Sequence, residues 1–198
     1  LKELGADHAF LPALRQVHGP VIQVINSQPA SHTIYEGDAL ITENPGIALG
    51  VCTADCVPIL LSSSQRTFIA AVHAGWRGVY AGIIFGIIKK IQSLYPQQKI
   101  LMGCVGPAIH QNFFEVGQEI MDLFSHQNPL YKRFFSIKGK NIFFDLVALV
   151  CYQLTLFDVQ VDNVSQDTYS NPDLFFSCRR ATHEKKSFGG QISLISLS

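Results

Sequence analysis

What this sequence has little of is charge. Only 15% of its 198 residues are Asp, Glu, Lys or Arg, and the 15 acidic residues cancel the 15 basic ones. A balanced, lightly charged chain carries no electrostatic footprint for nucleic acid or for an anionic membrane surface, so neither is expected as a partner. Long apolar runs are lacking as well. The longest stretch, VYAGIIFGII at 79–88, is about half a membrane span, and no signal peptide is evident. No CxxC and no HxxxH pair occurs, which excludes finger-type structural zinc sites. The five cysteines show no pairing pattern, as expected of a protein kept reduced in the cytoplasm. Repeats, low-complexity tracts and long linkers are absent. What is present is 47% hydrophobic residues, enough for a compact globular chain forming a single domain over 1–198.

Those residues fall into short runs rich in Val and Ile. VIQVI (21–25), IALGVC (47–52), VPILL (57–61), FIAAV (68–72), ILMGCV (100–105) and ISLISL (192–197) read as strands. Three helices are expected. In the first, Ile83, Ile84, Ile87, Ile88, Ile91 and Leu94 recur at helical spacing and Pro96 supplies a stop. The second covers about 115–125, and the third begins near Asp145, a candidate N-cap, and runs through DLVALVCYQLTLF. Many strands and few helices predict an α+β fold, with mixed sheets packed together and helices flanking them.

The chemistry concentrates in TADCVPILLSSSQRTFIAAVHAGWRG, residues 53–78. Cys56 and His73 stand at the ends of two strand-like runs, and His18 stands beside a third in RQVHGPVIQVI. One thiolate and two imidazoles from separate strand ends suit one transition metal, and three protein ligands leave a position open, as in a catalytic zinc. Residue types alone leave an alternative: Cys56 a small buried hydrophobe, both histidines satisfied locally. Cys52 lies four residues before Cys56, which puts both on one face if the segment is extended, too strained for a disulfide. A bulge there would let Cys52 act as a fourth ligand.

Six segments, QVHG (16–19), GDALIT (37–42), CTADCVPILL (52–61), AAVHAGWRG (70–78), GPAIHQNFFEVG (106–117) and FFSCRR (175–180), cover nearly the whole chain in one order. In them the chain resembles the laccase-domain family, also called multicopper polyphenol oxidase-like proteins and described more recently as zinc-dependent purine nucleoside phosphorylases with adenosine deaminase side activity. The resemblance implies that His18, Cys56 and His73 are the metal ligands. It implies purine nucleosides and phosphate as partners, and a fold of mixed sheets with helices outside. It also implies an N-terminal segment with a TTRxGGVS-like stretch, which this sequence, beginning at Leu1, is expected to lack. Gly190 stands where the family usually has Arg, His110 where a small residue is common, and Cys178 where Tyr is common.

Further candidates follow. Arg77, four residues after His73 at the strand-to-helix turn, suits bidentate phosphate binding or a structural ion pair. Asp55 is read as a catalytic base or a supporting carboxylate, with its side chain turned away from Cys56 if the strand is regular. Asp38 is expected to cap a turn or to hydrogen-bond a ligand histidine. His110 and Arg179 are candidate substrate contacts, against the plainer readings of a surface histidine and of solvated charge at a strand end. Trp76 is read as core or as a base-stacking ring. Zn²⁺ is the expected cofactor and Cu²⁺ the alternative. With seven histidines and no His-x-His pair, the chain is poorly furnished for a multicopper cluster. The rival readings are a copper-dependent polyphenol oxidase, a hydrolase editing peptidoglycan precursors, and a binding module stapled by metal. The oligomeric state is left open.

Overall fold

A computed structural model describes residues 10–28, 33–98 and 101–197. The elements in chain order are β1 (Ala13–Arg15), β2 (Ile22–Val24), β3 (Ile34–Glu36), β4 (Ala39–Thr42), β5 (Leu49–Thr53), β6 (Val57–Ser63), β7 (Ile69–Ala74), α1 (Trp76–Tyr80), α2 (Ile83–Leu94) and β8 (Leu101–Val105). There follow β9 (Glu115–Val116), α3 (Gln118–Gln127), a 3₁₀ turn (Pro129–Phe134), β10 (Phe135–Lys138), β11 (Asn141–Phe144), α4 (Leu146–Thr155), β12 (Gln160–Asn163), α5 (Cys178–Glu184) and β13 (Gln191–Ile195).

The centre is a six-stranded mixed sheet in the order β12-β8-β6-β7-β4-β2, parallel at its two edges and antiparallel in the middle. Both of its faces are covered, which is why β4, β6 and β7 read as continuous apolar runs rather than alternating ones. Alternation decides which layer each side chain joins. On β7, Ala70, Val72 and Ala74 face α1, α2 and α4, in one core with Ile83, Ile87, Ile91 and Leu149. Ile69 and Ala71 face the other way, packing with Leu49 and Val51 of β5. The antiparallel pair β5–β13 forms that second layer. The fold is therefore the expected single α+β domain of mixed sheets and flanking helices.

All six expected strands form where they are described; Ile100 of the ILMGCV run lies outside the described residues. α2 matches its periodicity. Asp145 caps α4, its carboxylate accepting the Ala148 N–H at 2.9 Å. Three expectations are corrected. The second helix starts at Gln118, because Glu115 and Val116 pair with β11. Cys52 and Cys56 do not share a strand face: β5 ends at Thr53, and Asp55 turns the chain at φ 95° before β6 begins. FFSCRR does not end a strand. Ser177 accepts the Arg180 N–H at 3.1 Å and caps α5, which carries both arginines.

Candidate metal centre

Antiparallel pairing of β6 with β7 brings TADC and HAGWRG together. Pro58 stands opposite His73 and Val57 opposite Ala74, so Cys56 at the entrance of β6 lies beside His73 near the exit of β7. The third candidate ligand, His18, comes from the turn after β1. Gln16 anchors that turn: its side-chain amide donates to Cys52 O at 2.7 Å and its carbonyl accepts the Cys52 N–H at 2.8 Å, taking the place of a strand partner on β5. His18 then adopts φ 58°, a left-handed conformation rare outside glycine and common at functional sites. One ligand atom from each of His18, Cys56 and His73 lies within 4.8 Å of the others, and the two imidazoles meet edge to face at 4.7 Å. This is the only such group among the described residues.

Asp38, fully buried, lies behind both histidines. Its Oδ1 accepts from His73 Nδ1 at 2.7 Å and from the His18 N–H at 2.9 Å, while Oδ2 accepts from the Gly19 N–H at 2.7 Å. Asp38 therefore fills both roles open to it from sequence, turn cap and histidine partner. Burial holds the His73 pKa below its usual 6.5 against the opposing hydrogen bond from Asp38, and neighbouring His18 lowers it further. With the Asp38 carboxylate as acceptor, His73 donates from Nδ1, which leaves Nε2 as the ring nitrogen available to a metal.

Burial, with the carboxylate of Asp55 and the thiol of Cys178 adding to it, pushes the Cys56 thiol up from 9.0 to about 12, and Arg77 opposes the rise. Gly75 provides a separate test of fit. A Cβ built on it would lie 3.0 Å from His18 Cδ2 and 3.1 Å from Cys56 Sγ, so the absence of a side chain keeps the space between the ligands clear. Gly78, in the same motif, lets the turn approach: its Cβ would sit 3.1 Å from Gly19 O. One sulfur, two imidazole nitrogens and a glycine-cleared space fit a borderline metal ion such as zinc or copper. Cys52 is outside the cluster.

The three side chains open on a cavity of about 390 Å³, lined also by Asp55, Trp76, Arg77, Ile109, Phe114, Arg179 and Phe188. The Arg77 guanidinium lies 4.5 Å over the Trp76 ring and that of Arg179 lies 5.6 Å over Phe114. Neither arginine forms an ion pair among the described residues. Trp76 belongs to both of its expected settings, packing on the core and lining the cavity. Asp55 is committed to the protein: Oδ1 accepts the Thr168 hydroxyl at 2.7 Å and Oδ2 the Arg179 N–H at 2.6 Å. Arg180 is committed too, donating to the carbonyls of Thr168, Tyr169 and Phe175. His110 is not among the cavity-lining residues; its N–H donates to Asp167 at 2.9 Å, and Ile109 faces the cavity instead. Gly190 lies beside the cavity wall, where a Cβ would be 3.4 Å from Thr53 O, so this chain places no cation at that position. Phe114, Phe188 and Cys178 were not read as site residues from sequence; only their place in the fold brings them to the cavity.

Comparison with known proteins places the chain among relatives of known name. Purine nucleoside phosphorylase RC0672 of Rickettsia conorii is 37% identical over 182 residues, 90% of this chain and 74% of its own length. Adenosine deaminase RL5, from an unknown prokaryotic organism, is 36% identical over 129 residues, 62% of this chain and 49% of its own. The crystal structure of Neisseria meningitidis protein NMB0706 superposes with a TM-score of 0.85 at 32% identity, covering 100% of this chain and 77% of that one. The family model described as multi-copper polyphenol oxidoreductase laccase matches residues 1–198, and the chain belongs to that family.

Proposed function

We propose that this protein is a zinc-dependent purine nucleoside phosphorylase, acting on inosine, adenosine and related nucleosides, with adenosine deaminase side activity. The observation that carries the reading is the meeting of His18, Cys56 and His73 with two arginines, without an ion pair among the described residues, on one cavity walled in part by Trp76, Ile109, Phe114 and Phe188. The names borne by its relatives, purine nucleoside phosphorylase and adenosine deaminase, support it.

His18, Cys56 and His73 would hold the metal, which when bound supplies Lewis-acid polarisation. Arg77 and Arg179 provide the positive charge that a phosphate dianion needs, as planar forks able to grip two oxygens. Trp76, Ile109, Phe114 and Phe188 offer the flat apolar surface a purine prefers and exclude water from it. In phosphorolysis a phosphate oxygen bonds to the anomeric carbon while the carbon–nitrogen bond breaks and its electron pair leaves with the purine. The arginines hold the attacking phosphate in line with that carbon. Asp55, with both oxygens already accepting, serves as a positioning residue that ties the Cys56 turn to Arg179.

The test joins metal analysis of the purified protein to an inosine assay with and without phosphate. About one zinc per chain and strict phosphate dependence are expected. Arg77→Ala should raise the KM for phosphate about tenfold or more, the loss of a charge-assisted contact. Unchanged phosphate dependence in that variant would remove Arg77 from the substrate site. A copper-dependent phenol oxidase is the reading favoured by the family's description. Its one-electron chemistry needs several coppers held by many imidazoles, whereas the ligand cluster here offers two. Rapid oxygen uptake on phenols by copper-loaded protein, with a coupled copper cluster, would replace the nucleoside reading.

A further inference from the structure

We propose that Asp38 is the positioning residue for both histidine ligands, one buried carboxylate fixing the His73 tautomer through Oδ1 and holding the His18 turn through both oxygens. This rests on reading His18, Cys56 and His73 as metal ligands and is independent of which substrate the site takes.

Three consecutive backbone N–H groups converge on this carboxylate. His18 donates to Oδ1, and Gly19 and Val17 to Oδ2, at 2.9, 2.7 and 3.3 Å. Such a concave run of amides is an anion-binding nest, and the left-handed φ of His18 is what turns the amides inward. The anion held is the protein's own side chain. The same Oδ1 receives His73 Nδ1 at 2.7 Å. The Asp38 backbone joins the arrangement, its N–H donating to Val21 O at 2.9 Å and its C=O accepting the His73 N–H at 2.7 Å. The residue thus links the turn bearing His18 to the strand bearing His73, segments far apart in sequence.

A carboxylate can do this because both of its oxygens only accept. An asparagine of the same shape cannot. With its amide oxygen toward His73, its NH₂ opposes the Gly19 and Val17 N–H groups, and the His18 turn keeps one of its three amide contacts. With its NH₂ toward His73, Nδ1 must become the acceptor, and the ring proton moves to Nε2, the atom needed as ligand. Either orientation costs one histidine.

The experiment measures zinc affinity of Asp38→Asn against a chromogenic chelator, starting from metal-free protein. Nitrogen-resolved NMR of the metal-free wild type reports the His73 tautomer. The expected results are an Nδ1–H tautomer in the wild type and an affinity loss of about 10–100-fold in D38N. Ile88→Val, a core change away from the site, controls for general loosening and should bind zinc as the wild type does. Wild-type affinity in D38N, or an Nε2–H tautomer in the wild type, overturns the proposal; the second measurement decides even if D38N does not fold. No nucleoside enters either measurement. A wild type that binds zinc yet splits no nucleoside would sink the substrate reading alone.

Discussion

Gly75 lies where any side chain would enter the space between the ligands. Gly75→Ala places a methyl 3.0 Å from the His18 ring and 3.1 Å from Cys56 Sγ, so one ligand must retreat by a few tenths of an ångström. The substitution is expected to lower zinc affinity by about tenfold or more while leaving the thermal midpoint of metal-free protein nearly unchanged, since the space it invades lies between the ligands rather than in the packed core. Full zinc content in G75A would show that the ion sits elsewhere. At this scale the candidate ligands were legible, because thiol and imidazole at strand ends carry their chemistry in their type, and so was the place of Asp38 beside a histidine. The partners of Asp55 were not. Asp55 finds its partners 113 and 124 residues away, and no local pattern announces a contact of that span. The notion that its side chain turns from Cys56 assumed a regular strand, and φ 95° at Asp55 removes that premise.

The longest elements with buried faces were the most legible, whereas β4, buried at all four residues, is too short to show a period and was not read as a strand. β6, β7 and α2 carry long buried apolar faces, so their periodicity gave them away. β1, β3 and β9 have two or three residues each and little buried surface, and they exist through pairing that sequence patterns do not display. α5 was misjudged because its seven residues carry no apolar stripe; only Ala181 is buried, and the helix is held by its cap and by Arg180. Its start therefore depends on Ser177, whose residue is 2% exposed. Ser177→Ala should cost about 1 kcal/mol, lowering the melting midpoint by roughly 2–4 °C. The same variant should weaken activity more than stability, because Arg179 is presented to the cavity from the first turn of this helix. Calorimetry beside a steady-state assay would separate the two, and equal losses would argue against α5 as a site element.

The whole molecule shows the metal centre through its response to pH. In metal-free protein His73 is held below 6.5. As pH falls below 6.5 the unfolded chain takes up a proton that the folded one refuses, and stability declines on that side. The Cys56 thiol is raised from 9.0 to about 12. Between those values the unfolded chain ionises and the folded one does not, so stability falls again as pH rises. Urea midpoints of chelator-treated protein should trace a plateau between these limits. Cys56→Ala should make the alkaline limb shallower, with Cys104, Cys151 and Tyr95, also raised by burial, contributing to what slope remains. An unchanged alkaline limb in that variant would mean that Cys56 is not the shielded thiol described. Zinc occupancy should abolish most of the Cys56 contribution, because the thiolate is then the folded form.

The reach of Asp55 has a consequence in time. The β6–β7 hairpin that pairs Cys56 with His73 closes a short loop, whereas the bond from the Arg179 N–H to Asp55 closes one spanning 124 residues. Loop closure costs more entropy as the loop lengthens, and non-local contacts form slowly. As the chain folds, Cys56 and His73 are therefore expected to meet early, while the wall that carries Arg179 arrives late. A refolding protein would bring Arg77 close to Cys56 and His73 early and gain its second arginine late, so that on the proposed reading catalysis would lag behind zinc uptake.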